Sequence, residues 1–312
     1  MTERALVFGG AGPVGAALCR RLLALNHEVF CIDSGLFALT PDHFTNLASP
    51  AFHYLRADLR ALDHTAIESF APSCRYLFNF CGPARYGYYV ENPDATAATF
   101  LAASSRSIAY CKANGSRLIL ASSSEVYGSG SSLSDGMSEA REARVIPGSL
   151  RSVYAASKLL SEAMAANSAT DFTIIRLFNI YGPNASADDD RVIPRMLRSI
   201  RSGEAFPVYG DGSQVRSYLY IDDLLDALML ISLGNQQSGL FNIGNPEPVS
   251  VIDLGNLVGE LIGKPFLFNL APQIVDDVAF RVPDIVNLTQ KTGWKPKVTL
   301  RTGLERCVRI PG

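Results

Sequence analysis

Arg4-Ala-Leu-Val-Phe8-Gly9-Gly-Ala-Gly12-Pro-Val-Gly15-Ala-Ala-Leu18 is the stretch on which the reading of this 312-residue chain turns. An apolar run of strand character leads into glycines at 9, 12 and 15, and a helical pattern follows at once. Glycines in this context permit a tight turn, close approach of the backbone to a pyrophosphate, and close packing of helix on strand. The helix start adds free N–H groups and the positive end of its dipole. Gly9, Gly12, Pro13, Val14 and Gly15 are therefore the expected phosphate cradle. Pro13 suits a helix start, yet it removes one donor from beside the phosphates.

Moving outward, the second apolar run, Glu28–Ile32, closes on Asp33 and Ser34. Asp33 lies about 20 residues beyond the turn, where a carboxylate accepts from both ribose hydroxyls and repels a 2′-phosphate. That selects NAD over NADP; the plainer alternative is a solvated loop Asp. Asp58 and Leu59 follow the third run, at the place expected for the adenine amino group, although an Asp there also caps helices.

Strand-like runs at Ala5–Phe8, Glu28–Ile32, Phe52–Leu55, Tyr76–Phe80, Arg117–Ala121 and Phe172–Leu177 alternate with helical patterns. The helical patterns are clearest over Val14–Leu25, Ala95–Ala113 and Ser152–Ala166. Such alternation predicts an α/β fold, a Rossmann-type doubly wound parallel sheet whose ligands sit beyond the carboxyl ends of the strands. After Phe178, loops rich in Gly, Pro and Asp become frequent, with helices expected over Pro194–Ser202, Asp222–Ser232 and Val251–Ile262. Residues 1–178 thus read as the dinucleotide domain and 179–312 mainly as a smaller C-terminal substrate-binding lobe, with a stretch near 216–244 returning to the first domain. The Ser/Gly-rich stretch Gly128–Gly136 is either a mobile loop beside the site or a tolerated surface insertion.

Composition narrows the function. With 28 Lys+Arg against 30 Asp+Glu, the net charge of −2 provides no basic field for nucleic acid. No apolar run reaches the ~18–20 residues that span a bilayer, and the chain enters its first strand with no signal peptide ahead of it. The six cysteines are scattered, with neither a CxxC pair nor zinc-ligand spacing, so no metal site is expected. They read as apolar fillers in a reducing compartment, and a soluble cytoplasmic protein is the expectation.

Val153-Tyr154-Ala-Ala-Ser-Lys158 places a phenol and an ammonium at i and i+4 on one helical face. A phenol of pKa ~10 is a poor base at neutral pH unless a cation steadies its phenolate. Lys158 can do this and also bind the nicotinamide ribose, leaving Tyr154 to take the proton of a sugar hydroxyl as hydride leaves the same carbon. Ser123, in Ser122-Ser-Ser-Glu125 after a strand, can complete the relay; a Ser-rich turn after a buried strand is the alternative.

Together these segments resemble the extended short-chain dehydrogenase/reductase family of nucleotide-sugar enzymes, the NAD-dependent epimerase/dehydratase group. The likeness covers nearly the whole chain. Beyond the cradle and Tyr154/Lys158 it includes Ser122-Ser-Ser-Glu-Val-Tyr-Gly128, Arg176-Leu-Phe-Asn-Ile-Tyr-Gly-Pro183, Tyr209-Gly-Asp-Gly-Ser-Gln214 and Arg216. It continues through Tyr220-Ile-Asp-Asp-Leu224, Asn242-Ile-Gly-Asn-Pro246 and Gly293-Trp-Lys-Pro296, the last resembling the family's terminal strand signal.

Within the family, Ser122–Glu125, the loop Pro83-Ala84, Tyr89 and Asn92-Pro93, and Arg281-Val-Pro-Asp-Ile285 are most similar to the UDP-glucuronate decarboxylases. The resemblance implies NAD-dependent oxidation of carbon 4 of UDP-glucuronate, loss of carbon dioxide from the β-keto acid, and UDP-xylose or a UDP-4-ketopentose as product. It assigns catalysis to Tyr154, Lys158, Ser123, Glu125 and Arg281. Substrate contacts fall to Pro83, Ala84, Arg85, Tyr89, Asn179, Arg191, Tyr209, Gln214, Arg216 and Arg281. Arginines and amides suit a diphosphate and a uracil edge, while a surface ion pair is the plainer alternative for each arginine alone. Tyr86, Tyr88 and Tyr89 either stack on the ligand or pack with their hydroxyls at the rim.

The chain departs from the family pattern at Pro13, at Arg85 in place of a small residue, at Phe100 in place of an Asn, and in the Ser/Gly loop. Ser124 stands where 4,6-dehydratases have an acidic Asp, and Glu125 where 4-epimerases are usually small or uncharged. A sugar-nucleotide epimerase or dehydratase is the nearest rival reading, and a non-catalytic NAD sensor is the rival from another class. The resemblance also implies a homodimer through Ala95–Ala113 and Ser152–Ala166, whose apolar faces could equally pack within one chain.

Overall fold

Six apolar runs of the first half fold as β1 (Arg4–Phe8), β2 (Glu28–Asp33), β3 (Phe52–Arg56), β4 (Tyr76–Asn79), β5 (Arg117–Ser123) and β6 (Phe172–Leu177). Between them run α1 (Pro13–Ala24), α2 (His64–Phe70), α3 (Tyr86–Glu91), α4 (Pro93–Asn114) and α5 (Ser152–Ala166). The computed structural model describes residues 2–36, 49–128, 136–183, 189–234, 237–273 and 277–309. Residues 129–135 of the Ser/Gly stretch, expected as a loop beside the site, lie outside the described residues.

Successive strand residues face opposite ways, and the two faces bury different cores. Val7, Val29 and Cys31 point toward Leu18 and Leu22 of α1. Leu6, Phe30 and Ile32 point toward Ile67 of α2 and Ala103 and Tyr110 of α4. Both faces of β4 and β5 are wholly buried, as a parallel sheet covered by helices on both sides requires.

The chain continues through β7 (Asn179–Tyr181), α6 (Val192–Ser202), β8 (Phe206–Tyr209), β9 (Val215–Arg216), β10 (Tyr218–Tyr220) and α7 (Ile221–Met229). Then come β11 (Gly239–Ile243), β12 (Val249–Ser250), α8 (Val251–Ile262), β13 (Phe268–Ala271), β14 (Phe280–Arg281), α9 (Val286–Thr292) and α10 (Leu300–Val308). β11 pairs in parallel with β6, and α7 reaches α1 through Arg21 and Asp226, 2.7 Å apart. The seven-stranded sheet has the order β11-β6-β5-β4-β1-β2-β3, and every pairing is parallel. Its strand order reverses between β1 and β4, opening a crevice at their carboxyl ends. A smaller lobe with its own core, including Ile193, Met196, Leu197, Phe206, Leu254 and Leu304, faces that crevice.

Two expectations need correction. Tyr86–Glu91, expected within the loop of Pro83-Ala84, Tyr89 and Asn92-Pro93, forms helix α3. Gly293–Pro296 forms no strand; it is a loop between α9 and α10. The segment is docked by Trp294, 3% exposed, whose indole N–H donates to the Asp223 carbonyl at 3.1 Å. The Asp223 carboxylate accepts the Lys297 and Val298 amides at 3.1 and 2.9 Å. Backbone donors thus meet a side-chain carboxylate where a strand neighbour would otherwise serve.

Candidate active site

The three glycines of the first loop do different work. Gly9 has φ +81°, and a Cβ there would stand 2.6 Å from the Phe80 carbonyl, so the turn admits no side chain. A Cβ on Gly15 would lie 2.2 Å from the Gly9 carbonyl oxygen, which sets how closely α1 packs on the turn. At Gly12, the N-cap of α1, a Cβ would stand clear of the protein, with only Gly9 O at 3.7 Å. It would fill the space over the helix's free N–H groups, where a pyrophosphate fits. Asp33 braces the loop by accepting the Ala11 amide at 2.9 Å and the Gly35 amide at 2.7 Å. Burial pushes its carboxyl above the usual value against the pull of those two donors, and lone pairs remain for ribose hydroxyls. The residues present fit a dinucleotide.

The adenosine end is less complete. Asp58 is held by Arg60, whose guanidinium donates to it at 2.6–3.1 Å, and Leu59 turns its side chain into the core. Ser34 is exposed and accepts the Leu36 amide at 3.3 Å. Asp33, Ser34, Asp58 and Leu59 all lie outside the lining of the main cavity.

That cavity, of about 870 Å³, runs from Gly9, Gly12, Pro13, Val14 and Gly15 along Ser123, Tyr154 and Lys158 into the lobe. Lys158 Nζ, delivered by α5, donates to the Ala121 carbonyl at 2.7 Å. The phenol of Tyr154 lies one turn back, its ring 6.0 Å from the ammonium. Burial pushes Tyr154 up to about 12, with a hydrogen bond from Ser123 pulling it down. Burial also lowers Lys158 to about 8, against the attraction of Cys81 and Glu162. Tyr89 stacks on Tyr154 at 4.7 Å, and Tyr86 meets Tyr89 edge-on at 5.5 Å. Of the two expectations for the tyrosines, packing describes this arrangement, and Tyr86 and Tyr89 still line the cavity.

Beyond Tyr154, charges converge. Arg281 of β14 grips Glu125 through Nη1 at 2.5 Å and Nη2 at 3.0 Å. Arg151 adds a contact to the same carboxylate at 2.9 Å. Asp277 lies 2.9 Å from Arg216 and 3.7 Å from Arg151. Three guanidiniums therefore face two carboxylates along one wall. Burial alone would raise Glu125, but Arg281 and Arg151 hold it below the usual carboxylate range.

Arg151 and Asp277 were not among the sequence candidates. Arg151, the N-cap of α5, precedes Tyr154 by three residues, which puts it about one turn away, and that spacing is the available signal. Nothing near Asp277 in the sequence points to its partners.

At the lobe end, Ala84, Arg85, Asn179, Arg191, Tyr209, Gln214 and Arg216 line the cavity, whereas Pro83 is buried outside the lining. Arg191 is both cavity wall and ion pair, held bidentate by Asp189. Asn179 Nδ2 donates to the Ser217 carbonyl at 3.0 Å. Gln214 donates to the Tyr209 carbonyl at 2.5 Å, and its buried Oε1 has no partner among the described residues. That carbonyl oxygen is free for an N–H on a ligand.

Several motif residues serve beneath the site. Ser122 and Arg176 converge on buried Glu162, at 2.5 Å and at 2.9 and 2.7 Å. The Arg176 guanidinium also lies over the Tyr127 ring at 4.6 Å, and the Tyr127 hydroxyl donates to Asn242 at 2.7 Å. This network ties β5, α5, β6 and β11 together beneath the cavity. Among the described residues no His/Cys/Asp/Glu group forms a metal site, and no helix is long and apolar enough to cross a membrane.

The sequence model of the NAD dependent epimerase/dehydratase family matches residues 5–244. UDP-glucuronic acid decarboxylase 1 of Arabidopsis thaliana is 32% identical over 310 residues, covering 98% of this chain and 69% of the relative. The crystal structure of a UDP-glucose 4-epimerase from Thermus thermophilus in complex with NAD superposes with TM-score 0.86 at 25% identity, covering 98% of each chain. UDP-glucuronic acid 4-epimerase from Bacillus cereus, in complex with UDP-glucuronic acid and NAD, has the same fold at 24% identity and TM-score 0.86, over 97% of each chain.

Proposed function

The chain belongs to the NAD dependent epimerase/dehydratase family, and on that footing we propose that it decarboxylates UDP-glucuronate through a 4-keto intermediate, giving UDP-xylose or the UDP-4-ketopentose. The observation that carries this reading is the Glu125–Arg281–Arg151 cluster beside Tyr154. An excess of guanidinium at the reacting end suits a substrate that brings a carboxylate of its own.

Gly9, Gly12, Gly15, Asp33 and Lys158 hold the dinucleotide, which when bound supplies the two-electron acceptor for carbon 4. Tyr154 receives the hydroxyl proton of carbon 4; burial holds its phenol at about 12, so the phenolate depends on the Lys158 ammonium, 6.0 Å from the ring, and on the Ser123 hydrogen bond. Ser123, hydrogen-bonded to Tyr154, orients the same oxygen. The new ketone is β to the carboxylate, so the carbon–carbon bond to that carboxylate breaks with its electron pair flowing toward the ketone oxygen. Tyr154 and Ser123 stabilise the charge that develops there. Glu125, kept ionised by its arginines, acts as an acceptor that fixes Arg281 and not as the proton donor. One solvent proton replaces carbon dioxide on carbon 5, giving the UDP-4-ketopentose; UDP-xylose results when the hydride withdrawn from carbon 4 returns to that carbon and Tyr154 gives its proton back to the oxygen.

Arg191, Arg216 and Asn179 serve the diphosphate and Gln214 the uracil edge. The likeness to decarboxylases at about 30% identity supports the reaction assigned. Ser124, buried after β5, offers no acid for expelling water, which disfavours dehydration. Six free cysteines suit a reducing, cytoplasmic setting. A homodimer through α4 and α5 accounts for Leu101 and Leu160, 48% and 51% exposed on that face.

Incubation with UDP-glucuronate and NAD, followed by mass analysis of the nucleotides, tests the proposal. Loss of carbon dioxide is expected. An isomer of unchanged mass would establish epimerisation instead, loss of water would establish dehydration, and NAD binding without turnover of any nucleotide sugar would indicate a sensor.

A further inference from the structure

Lys158 is buried among unlike partners. Its ammonium carries three N–H donors, and the Ala121 carbonyl on β5 takes one at 2.7 Å. On the α4 side it meets the ring of Phe100, whose centroid lies 4.3 Å from Nζ. The same ring abuts Tyr154 edge-on at 5.5 Å. Phe100 is 3% exposed, and its place depends on Gly82: a Cβ there would fall 2.1 Å from the ring. The titratable groups acting on Lys158 are Cys81, beyond β4, and Glu162, one turn along α5, with Tyr154 one turn back. β5 presents a carbonyl, and α4 presents the ring.

We propose that Phe100 is a positioning residue for Lys158: its π face holds the ammonium against the Ala121 carbonyl and keeps water away, in a slot that Gly82 leaves open. An aromatic face attracts a cation most strongly where both are desolvated, as here. The ring therefore acts on Lys158 in two opposed ways. Its quadrupole favours the charged form, and its bulk, by excluding water, disfavours it. The inference rests on the reading of Lys158 as the partner of Tyr154.

The opposition allows a test by sign. The chain has six lysines, so ¹³Cε-labelled lysine gives a resolvable spectrum, with Lys158 assigned by the signal lost in Lys158→Met. In Phe100→Leu the burial stays and the π face goes, so the Lys158 titration should move down by about half to one pH unit. In Phe100→Asn an amide dipole and water replace the ring, and the titration should move up. Phe100→Tyr keeps the face and should leave it in place, and Phe100→Met, which fills the slot without a π face, should move it down as leucine does and preserves the test if the leucine variant does not fold. A ring that only fills space predicts lower melting temperatures with no displacement in Phe100→Leu or Phe100→Met, and that result overturns the proposal, as does an upward move in Phe100→Leu.

The titration is read without sugar, so a mistaken substrate leaves it intact. The alkaline limb of turnover should follow the same displacements. A displaced titration beside an unmoved limb keeps Phe100 in its role and removes Lys158 from the proposed chemistry.

Discussion

Removing Glu125 should harm this protein more than removing Arg281, although the two are partners in one ion pair. Arg281→Met leaves Glu125 buried but still held by Arg151 at 2.9 Å, and two guanidiniums then face two carboxylates. Orphaning a buried charge costs about 3–5 kcal/mol, and the surviving contact should bring this variant to about 2–3 kcal/mol. Glu125→Gln has no such relief. It leaves Arg151, Arg216 and Arg281 facing Asp277 alone, with Arg281 only 5% exposed, and should cost about 4–5 kcal/mol. The double variant should recover part of that loss, a coupling of at least about 1 kcal/mol between touching residues.

The pH dependence has a definite sign. The folded carboxyl of Glu125 lies below its unfolded value of 4.5: burial works against this, and Arg281 and Arg151 outweigh the burial. Its contribution is therefore complete above the unfolded value and lost as pH falls through the folded one. The gap between wild type and Glu125→Gln in urea unfolding should be widest near neutrality and shrink below about pH 4. A costlier Arg281→Met, or a gap indifferent to pH, would refute this account of the cluster.

Tyr154→Phe should lower turnover by about 10²–10⁴-fold, the usual worth of a placed acid–base group, while calorimetry finds NAD affinity little changed. Gly15→Ala, which would put a methyl 2.2 Å from the Gly9 carbonyl oxygen, should cost about 1–3 kcal/mol in unfolding and weaken NAD binding markedly. Asp33→Asn removes the charge that opposes a 2′-phosphate. The preference for NAD over NADP, measured as a ratio of dissociation constants, should fall by about tenfold, equivalent to about 1.4 kcal/mol.

The sheet was legible because strands buried on both faces leave continuous apolar runs, and β1 to β6 fall within two residues of those runs. The cradle and the Tyr154–Lys158 pair were legible because their chemistry depends on local spacing. What escaped the sequence reading depends on contacts between distant segments. Asp277 meets Arg216 and Arg151 across separations of 61 and 126 residues, which no periodicity records. α3 was read as loop because its six residues, Tyr86–Glu91, are too few for a helical pattern to emerge. Gly293–Pro296 resembled a strand signal, yet Trp294 and Asp223 fix it as a docked loop. Ser122, Tyr127, Arg176 and Asn242 stood out as motifs, and only the fold reveals them as bracing beneath the site.

The central claim is that withdrawing hydrogen from carbon 4 makes the bond to the carboxylate labile. Its most direct measurement is internal competition between unlabelled UDP-glucuronate and UDP-glucuronate carrying deuterium at carbon 4 and ¹³C in the carboxylate, with released carbon dioxide and residual substrate followed by mass. The account predicts that carbon dioxide leaves the unlabelled substrate faster and that the residual substrate grows richer in deuterium. Release of carbon dioxide at equal rates from both, or its absence while the nucleotide sugar is consumed, would contradict it.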